Sequence, residues 1–130
     1  MIVGIGTDII EIRRIEEAIK RNPKFTNKCF TKEEQELFKD KNNSIQTIAG
    51  TFAAKEAVVK AMGTGFRGFG IQDIEILRDK KGKPYVNSYS NARLIFNELN
   101  IADVLISISH CRDYAVAYAL AKRGGSYEGM

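Results

Sequence analysis

Three charged side chains interrupt an otherwise apolar stretch of this sequence, TFAAKEAVVKAMGTG: they are Lys55, Glu56 and Lys60. Residues 45–62 are predicted to form one helix, which Gly63 terminates. On a wheel at about 100° per residue, Glu56 and Lys60 fall within the apolar arc of this helix. A buried carboxylate needs a cation. We therefore expect Glu56 either to pair with a cation such as Lys60, four residues away, or to bind a metal.

A second carboxylate, Asp8, follows a short apolar run at residues 2–6. The run predicts a buried strand, and its two glycines permit close backbone approach. An acid at the end of a strand can cap the helix that follows. Alternatively, Asp8 and Glu56 share a divalent cation, because Mg²⁺ is typically held by one or two carboxylates, substrate phosphate and water. Lys60 would then neutralise phosphate charge.

Residues 63–70 contain four glycines in eight positions, GTGFRGFG. Such a loop can curl its N–H groups around an anion, and Arg67 adds a guanidinium. The segment follows a helix and lacks the Gly-Lys-Ser/Thr ending of a Walker loop. By itself it is typical of a helix C-cap followed by a flexible loop, so its interpretation as an anion site depends on nearby Lys60.

The only histidine, His110, ends the run ISISH. Ser109 and His110 do not make a catalytic pair, because adjacent strand residues point to opposite faces. A lone histidine at a hairpin turn is often a surface residue. If His110 is functional, a phosphate contact is the better hypothesis.

Basic residues also cluster on the first predicted helix, where isoleucines recur from residue 9 to residue 19 and Pro23 ends the element. Arg14 and Arg21 are seven apart and share a helix face. That face is either a solvated surface or a docking site for an acidic protein. The chain has 20 basic and 16 acidic residues, a net charge of +4, which favours anionic partners without choosing among them.

The remaining patterns predict an α+β domain, a mainly antiparallel sheet with helices packed on one side. Thr31 and Glu34 form a capping box that begins a helix ending near Lys39, and Ser90 is predicted to cap a helix that ends near Leu99. Strands are expected at residues 73–77, 84–89, 104–109 and 114–120, the last two forming a hairpin. We expect one domain over residues 1–123 and a flexible tail at 124–130.

Composition narrows the class of protein. The 130 residues have the apolar and charged fractions of a globular domain, and the longest apolar run, residues 114–121, is too short to cross a bilayer. The N-terminus lacks the basic flank of a signal peptide. Cys29 and Cys111 have no disulfide or metal-site spacing and are expected to be reduced thiols in a cytoplasmic protein.

Together, GIGTDIIEI, FAAKEAVVKAMGTG, DIEIL, GKPY and SISHCRDYAVA closely resemble the holo-acyl-carrier-protein synthases, the small single-domain group of 4′-phosphopantetheinyl transferases. The resemblance extends from residue 2 to about residue 121. It implies an α+β fold and a homotrimer with sites between subunits. It also implies transfer of 4′-phosphopantetheine from coenzyme A to a serine of apo acyl carrier protein for fatty acid biosynthesis, releasing adenosine 3′,5′-bisphosphate.

The resemblance also implies roles for individual residues. Asp8 and Glu56 match the Mg²⁺ ligands, and these two with Lys60 are the expected catalytic residues. The expected coenzyme A contacts are Lys60, Gly63, Thr64, Gly65, Arg67, Lys83, Pro84, Ser109 and His110. Arg14 and Arg21 lie on the helix that meets the acidic carrier protein. Many relatives have arginine where this chain has Thr51, so that contact to coenzyme A is either missing or supplied by Arg67. The family also usually has Ser or Thr at the position of Cys111.

Several alternatives remain open in the sequence. The base that activates the carrier-protein serine is either Glu56 or a water molecule on the metal near Asp8. The enzyme either serves fatty acid synthesis or accepts a broader range of carrier proteins. A non-enzymatic nucleic-acid-binding domain is also compatible with the net charge, although the sequence lacks stacking aromatics interleaved with basic residues and any recognised nucleic-acid motif.

Overall fold

The computed structural model describes residues 1–124 and shows an α+β fold. The helices and strands of this part of the chain are β1 (Ile2–Glu11), α1 (Ile12–Arg21), α2 (Phe25–Cys29), α3 (Lys32–Asp40), α4 (Ile45–Met62), a short 3₁₀ segment (Ile71–Asp73), β2 (Ile74–Arg78), β3 (Pro84–Ser88), α5 (Ser90–Glu98), β4 (Ile101–His110) and β5 (Tyr114–Arg123). None of the helices in residues 1–124 is long and apolar enough to span a membrane.

The strands form two antiparallel sheets where the sequence predicts one. Strands β1, β5 and β4 lie side by side in that order, with β5 in the centre, whereas β2 and β3 pair only with each other. Asp8 on β1 lies opposite Ala117 on β5, which in turn lies opposite Ile108 on β4. The side chains of Asp8 and Ile108 therefore lie on the same face of the three-stranded sheet, the face that packs against α4.

Strand β1 is longer than predicted, and two expectations at its end are wrong. The helix predicted from the isoleucine spacing begins at Ile12, and Ile9 instead lies in the strand with its side chain 65% exposed. Asp8 therefore lies within the strand and does not cap a helix; the N-cap of α1 is Glu11, which makes no side-chain capping bond. A pairing partner, β5, keeps this segment extended although its isoleucines have helical spacing.

Helix α4 packs closely on the three-stranded sheet because small residues meet at the contact. Ala53, Ala57 and other alanines of the helix are fully buried. A Cβ atom added to Gly4 would lie 2.0 Å from the carbonyl oxygen of Ala61, and one added to Gly6 would lie 2.1 Å from that of Ala57. Only glycine permits this approach, as the sequence predicts. The contact fixes the position of α4 over β1.

The caps of the helices agree with the sequence at most positions. Thr31 and Glu34 form the predicted capping box of α3, and Gly63 ends α4 in a left-handed conformation with φ of 78°. The predicted cap at Ser90 is wrong: Ser90 is the first residue of α5, with φ of 53°, and Tyr89 precedes it without a side-chain capping bond. The backbone N–H of Tyr89 instead donates to the Asp73 carbonyl, which fixes where α5 begins.

A second core lies where α1, α2 and α3 cover the N-terminal half of α4. Its centre is an aromatic cluster in which Phe30 packs edge to face against Phe38, with ring centroids 4.9 Å apart, and contacts Phe25 and Phe52. At the other end of the chain, Gly124 donates its N–H to a backbone carbonyl. The rest of the predicted tail, 125–130, lies outside the described residues.

Candidate active site

Asp8 and Lys60 meet where the C-terminal half of α4 crosses β1. The Lys60 ammonium lies 3.0 Å from the Asp8 carboxylate and also donates to the Thr7 carbonyl at 3.0 Å. The Asp8 side chain is 18% exposed and that of Lys60 is 55% exposed, so the pair lies at the edge of the core and is open to solvent. The structure therefore brings together two of the three predicted catalytic residues through a strand–helix contact that the glycines of β1 allow.

Glu56 lies one turn before Lys60 on α4 and is half-buried. The predicted ion pair between Glu56 and Lys60 is not among the salt bridges of residues 1–124, because Lys60 pairs with Asp8. Burial raises the pKa of Glu56, the nearby Asp8 carboxylate raises it further, and Lys60 lowers it. Glu56 and Asp8 are thus close enough for their charges to interact.

The donor set fits a magnesium ion that is shared with substrate phosphate. Two carboxylates at one solvent-facing edge match the one or two protein ligands that Mg²⁺ usually takes. Residues 1–124 contain no group of three or more histidine, cysteine, aspartate or glutamate side chains placed to hold a metal by themselves. The residues that would hold Mg²⁺ are therefore Asp8 and Glu56, with the remaining positions left to phosphate and water.

The glycine loop continues directly from the C-terminus of α4. Gly63 and Gly65 have φ values of 78° and 66°, in the region that favours glycine, and Arg67 is exposed. The Thr64 hydroxyl donates to the carbonyl of Gly65, and the Arg67 N–H donates to the same carbonyl, so part of the loop is bonded to itself. The loop begins one turn after Lys60, at the same end of the helix as Asp8.

Two of the other predicted coenzyme A contacts, Pro84 and His110, line a separate cavity, whereas Lys83 and Ser109 are not among its lining residues. His110 at the end of β4 and Pro84 at the start of β3 line this space of about 290 Å³. The Asp79 carboxylate shapes the adjoining turn by accepting N–H groups from Lys81 and Lys83, both at 2.9 Å. Ser109 lies on the opposite face of the sheet from His110, as strand alternation predicts. The structure thus joins Pro84 and His110 but places Ser109 elsewhere.

This cavity and Asp8 lie at opposite edges of the three-stranded sheet. Gly50 of α4 packs against Ile108 on β4, whereas Ala57 packs against β1. The two outer strands of the sheet are about 10 Å apart, because β5 lies between them. Asp8 on β1 and His110 on β4 are therefore separated by the width of the sheet.

Lys55 is fully buried and pairs with Glu34, away from the Asp8–Lys60 pair. Its ammonium lies 2.6 Å from the Glu34 carboxylate and donates to the carbonyls of Cys29 and Ile71, at 2.8 and 3.2 Å. The charge of Lys55 is thus paired with an acid inside the core and does not reach water. Burial lowers the pKa of Lys55, and the attraction of Glu34 opposes this change.

Two cations that sequence analysis did not single out also line the His110 cavity, Lys41 and Arg78. The alternation of residues in β2 could have drawn attention to Arg78. Ile74 and Ile76 are buried on one face of β2, and Arg78 continues that series at the next alternate position. A cation at an apolar register position indicates a special environment.

The two arginines of the first helix are placed as predicted. Arg14 and Arg21 are both exposed on α1, and Arg14 lies 3.9 Å from the Glu11 carboxylate. This ion pair is too exposed and too long to neutralise the basic face.

Comparison with known proteins shows the family to which this chain belongs. A model described as "4'-phosphopantetheinyl transferase superfamily" matches residues 4–119. The chain belongs to this superfamily. The resemblance to its holo-acyl-carrier-protein synthases is also confirmed, because relatives of that name match most of the chain. The holo-[acyl-carrier-protein] synthase of Alkaliphilus oremlandii is 54% identical over 121 residues, which are 93% of this chain and 99% of the relative.

Solved structures of holo-[acyl-carrier-protein] synthases share the fold. The enzyme of Neisseria meningitidis superposes with a TM-score of 0.87 at 35% identity, covering 95% of this chain and all 100% of that one. The Helicobacter pylori synthase, solved in complex with coenzyme A, has a TM-score of 0.80 at 33% identity and covers 91% of this chain and 99% of its own. The predicted α+β class is confirmed by these likenesses.

Proposed function

We propose that this protein transfers 4′-phosphopantetheine from coenzyme A to a serine of apo acyl carrier protein, for fatty acid biosynthesis. The products are holo acyl carrier protein and adenosine 3′,5′-bisphosphate. The observation that carries the proposal is the convergence of Asp8, Glu56 and Lys60 at the crossing of β1 and α4, in a chain of this family. Mass spectrometry of apo acyl carrier protein incubated with this protein, coenzyme A and Mg²⁺ tests it.

The reaction is an in-line phosphoryl transfer. The serine oxygen forms a bond to the phosphorus that carries pantetheine, and the bond from that phosphorus to the bridging oxygen breaks. The electron pair leaves with adenosine 3′,5′-bisphosphate. Asp8 and Glu56 would hold Mg²⁺, which when bound would neutralise pyrophosphate charge and make the phosphorus more electrophilic. Lys60, which is exposed enough to reach the substrate, holds a phosphate oxygen and stabilises its charge.

Glu56 is the group that we assign to take the proton of the serine hydroxyl. Burial and the Asp8 carboxylate raise the pKa of Glu56. Glu56 is half-buried and near enough to Asp8 to interact with its charge, so its carboxylate is placed in the site that the serine hydroxyl would enter. Asp8 keeps its ion pair with Lys60 and therefore serves to hold charge.

The complete site is proposed to form between subunits of a homotrimer. Coenzyme A has to reach from the pyrophosphate site at Asp8 to the contacts at Pro84 and His110, but Asp8 and His110 lie on the two outer strands of the sheet in one chain. In a trimer, Asp8 of one subunit and His110 of the next would face the same coenzyme A molecule. The sheet face turned away from α4 supports this assembly, because it exposes Ile5, Ile9, Leu105, Tyr114 and Tyr118.

The carrier protein is proposed to dock on α1 through Arg14 and Arg21, whose exposed guanidinium groups suit an acidic partner. We place the reaction in the cytoplasm, since Cys29 and Cys111 are free thiols, as a reducing compartment favours.

A further inference from the structure

Helix α4 is buried around most of its circumference, largely by small side chains. Between residues 48 and 62, every residue is buried except Phe52, Glu56 and Lys60, which follow one another at four-residue spacings. This open strip is the one that faces Asp8. Five of the buried residues are alanines, at positions 49, 53, 54, 57 and 61. Because methyl groups fit together in several orientations, their packing alone specifies the rotation of the helix only weakly.

Lys55 is the side chain that attaches this helix to its surroundings by directional bonds. All three N–H groups of its ammonium have partners: the Glu34 carboxylate at 2.6 Å, the Cys29 carbonyl at 2.8 Å and the Ile71 carbonyl at 3.2 Å. These partners belong to α3, the end of α2 and the 3₁₀ segment. An ammonium held by three separate segments fixes the rotation and the lengthwise position of the helix that carries it.

Glu34 is itself held in place by two other backbone groups. Its carboxylate accepts the Thr31 N–H at 2.8 Å and the Ile76 N–H at 2.7 Å, so it is bonded to the cap of α3 and to β2. A buried ion pair adds little net stability compared with apolar residues, but a buried polar contact can specify one register among several similar packings. The Glu34–Lys55 pair therefore supplies the directional contact that the alanine faces lack.

The position of Glu56 depends on the rotation that this pair sets. Side-chain ends lie about 5–6 Å from the axis of a helix, so a rotation of only about 20° moves them by about 2 Å. Mg²⁺ takes its ligands at about 2.0–2.1 Å in nearly octahedral geometry and does not tolerate such a displacement. The glycines of β1 set the distance of α4 from the strand, because they meet its backbone, but they do not set its rotation.

We propose that Glu34 and Lys55 are positioning residues of the active site: their pair fixes the rotation of α4 that places Glu56 beside Asp8 for a shared Mg²⁺. The proposal rests on the proposed function, which assigns Mg²⁺ to Asp8 and Glu56. Glu34 and Lys55 do not contact the substrate and act only through Glu56.

The test is the gain in coenzyme A affinity that Mg²⁺ brings, measured by calorimetry with Mg²⁺ and with a chelator, in the absence of carrier protein. Glu34→Gln/Lys55→Met removes both charges together and leaves no unpaired ion in the core. In this variant the gain from Mg²⁺ is expected to fall about 10-fold or more, the loss typical when a residue that orients a metal ligand is removed. Affinity in chelator should stay almost unchanged. Asp8→Asn gives the value for a protein without a complete metal site.

A core substitution on another element separates positioning from general loss of stability. Phe96→Leu is this matched control, because it removes buried carbon from α5, which packs on β3 and β4. It should lower the free energy of unfolding, measured by urea denaturation, and keep the wild-type gain from Mg²⁺. An equal loss of the gain in Phe96→Leu, or a wild-type gain in folded Glu34→Gln/Lys55→Met, would mean that the pair only supports the fold, and would overturn the proposal.

A milder variant keeps the test decisive if the double variant does not fold, as circular dichroism will show. Glu34→Asp retains both charges but shortens the carboxylate side chain by one methylene. It should fold and lose part of the gain from Mg²⁺, because Lys55 and α4 must shift to keep the ion pair. A wild-type gain in Glu34→Asp would then reject the positioning role.

The two proposals fail differently. If the wild type does not modify the carrier protein, the proposed function is wrong, and the calorimetry still tests the pair because it requires no transfer. If the wild type transfers phosphopantetheine and the double variant keeps the full gain from Mg²⁺, the function stands and the positioning role is rejected. If Mg²⁺ brings no gain to the wild type, the metal site and the positioning role are both rejected.

Discussion

At the scale of single residues, adjacent positions on α4 serve opposite purposes. Lys55 is sealed from solvent with Glu34, whereas Glu56 faces the edge of β1 beside Asp8. Successive residues of an α-helix are rotated by about 100° around its axis, so neighbouring side chains point toward different surroundings. Lys55 is thus part of the buried interior, whereas Glu56 belongs to the proposed active site.

The buried pair gives a stability prediction. Lys55→Met should lower the free energy of unfolding by about 3–5 kcal/mol, because it leaves the Glu34 carboxylate buried without its cation. Urea denaturation measures the loss. Lys39→Met, which removes an exposed ion pair with Glu36, is the matched control and should change stability little. A loss in Lys55→Met no larger than in the control would contradict the account of this pair.

At the scale of elements, the contact between β1 and α4 determines whether the site exists. Gly6→Ala places a Cβ 2.1 Å from the Ala57 carbonyl and should cost about 1–3 kcal/mol or more. Because the helix must then move from the strand, transfer activity should fall as well. Gly70→Ala is the control: its backbone conformation suits alanine and nothing lies within 4 Å. Equal stability of the two variants, by urea denaturation, would show that the close approach is absent.

Helix α1 makes a separate prediction about the carrier protein. Reversing charge with Arg14→Glu and Arg21→Glu should weaken carrier-protein affinity and reduce the salt dependence of association, since opposite charges steer the encounter. Coenzyme A binding, measured by calorimetry, should stay almost intact. An equal loss of coenzyme A binding would argue against a docking role for this helix.

The sequence was most informative where structure is local. Helix α4 has the predicted bounds, 45–62, because its cap, its composition and Gly63 all lie within the segment. Ile9 was misassigned because strand pairing with β5 overrides isoleucine spacing, which only tertiary structure reveals. A cation shared by Asp8 and Glu56 was one alternative that the residues suggested and the resemblance assigned, but their proximity depends on two elements that are distant in sequence.

The contacts that sequence could not supply join residues far apart in the chain. Glu34 and Lys55 belong to different helices, and no local pattern links them. Arg78 could have been noticed as a cation on an apolar face, but its cavity is built from α4, β4 and the β2–β3 turn together. Side chains that converge across elements are determined by packing.

At the scale of the whole molecule, the proposed trimer predicts that each complete site takes Asp8 from one subunit and His110 from the next. Mixing Asp8→Asn and His110→Asp subunits should restore about a quarter of wild-type activity, the share of interfaces at which both residues are native in a randomly mixed cyclic trimer. Each variant alone should be almost inactive. Activity assays on purified mixed assemblies measure the recovery. No recovery, with mixed assemblies verified by mass, would indicate a site within one chain.

The central claim is transfer of phosphopantetheine by a site that contains Asp8 and Glu56. Its most direct measurement is the rate at which apo acyl carrier protein gains the phosphopantetheine mass, with coenzyme A and Mg²⁺ present. The wild type should convert the carrier protein, and removal of Mg²⁺ with a chelator should stop conversion. Asp8→Asn and Glu56→Gln should each lose at least about 100-fold in rate. No mass gain with the wild type, or full activity in both variants, would contradict the account.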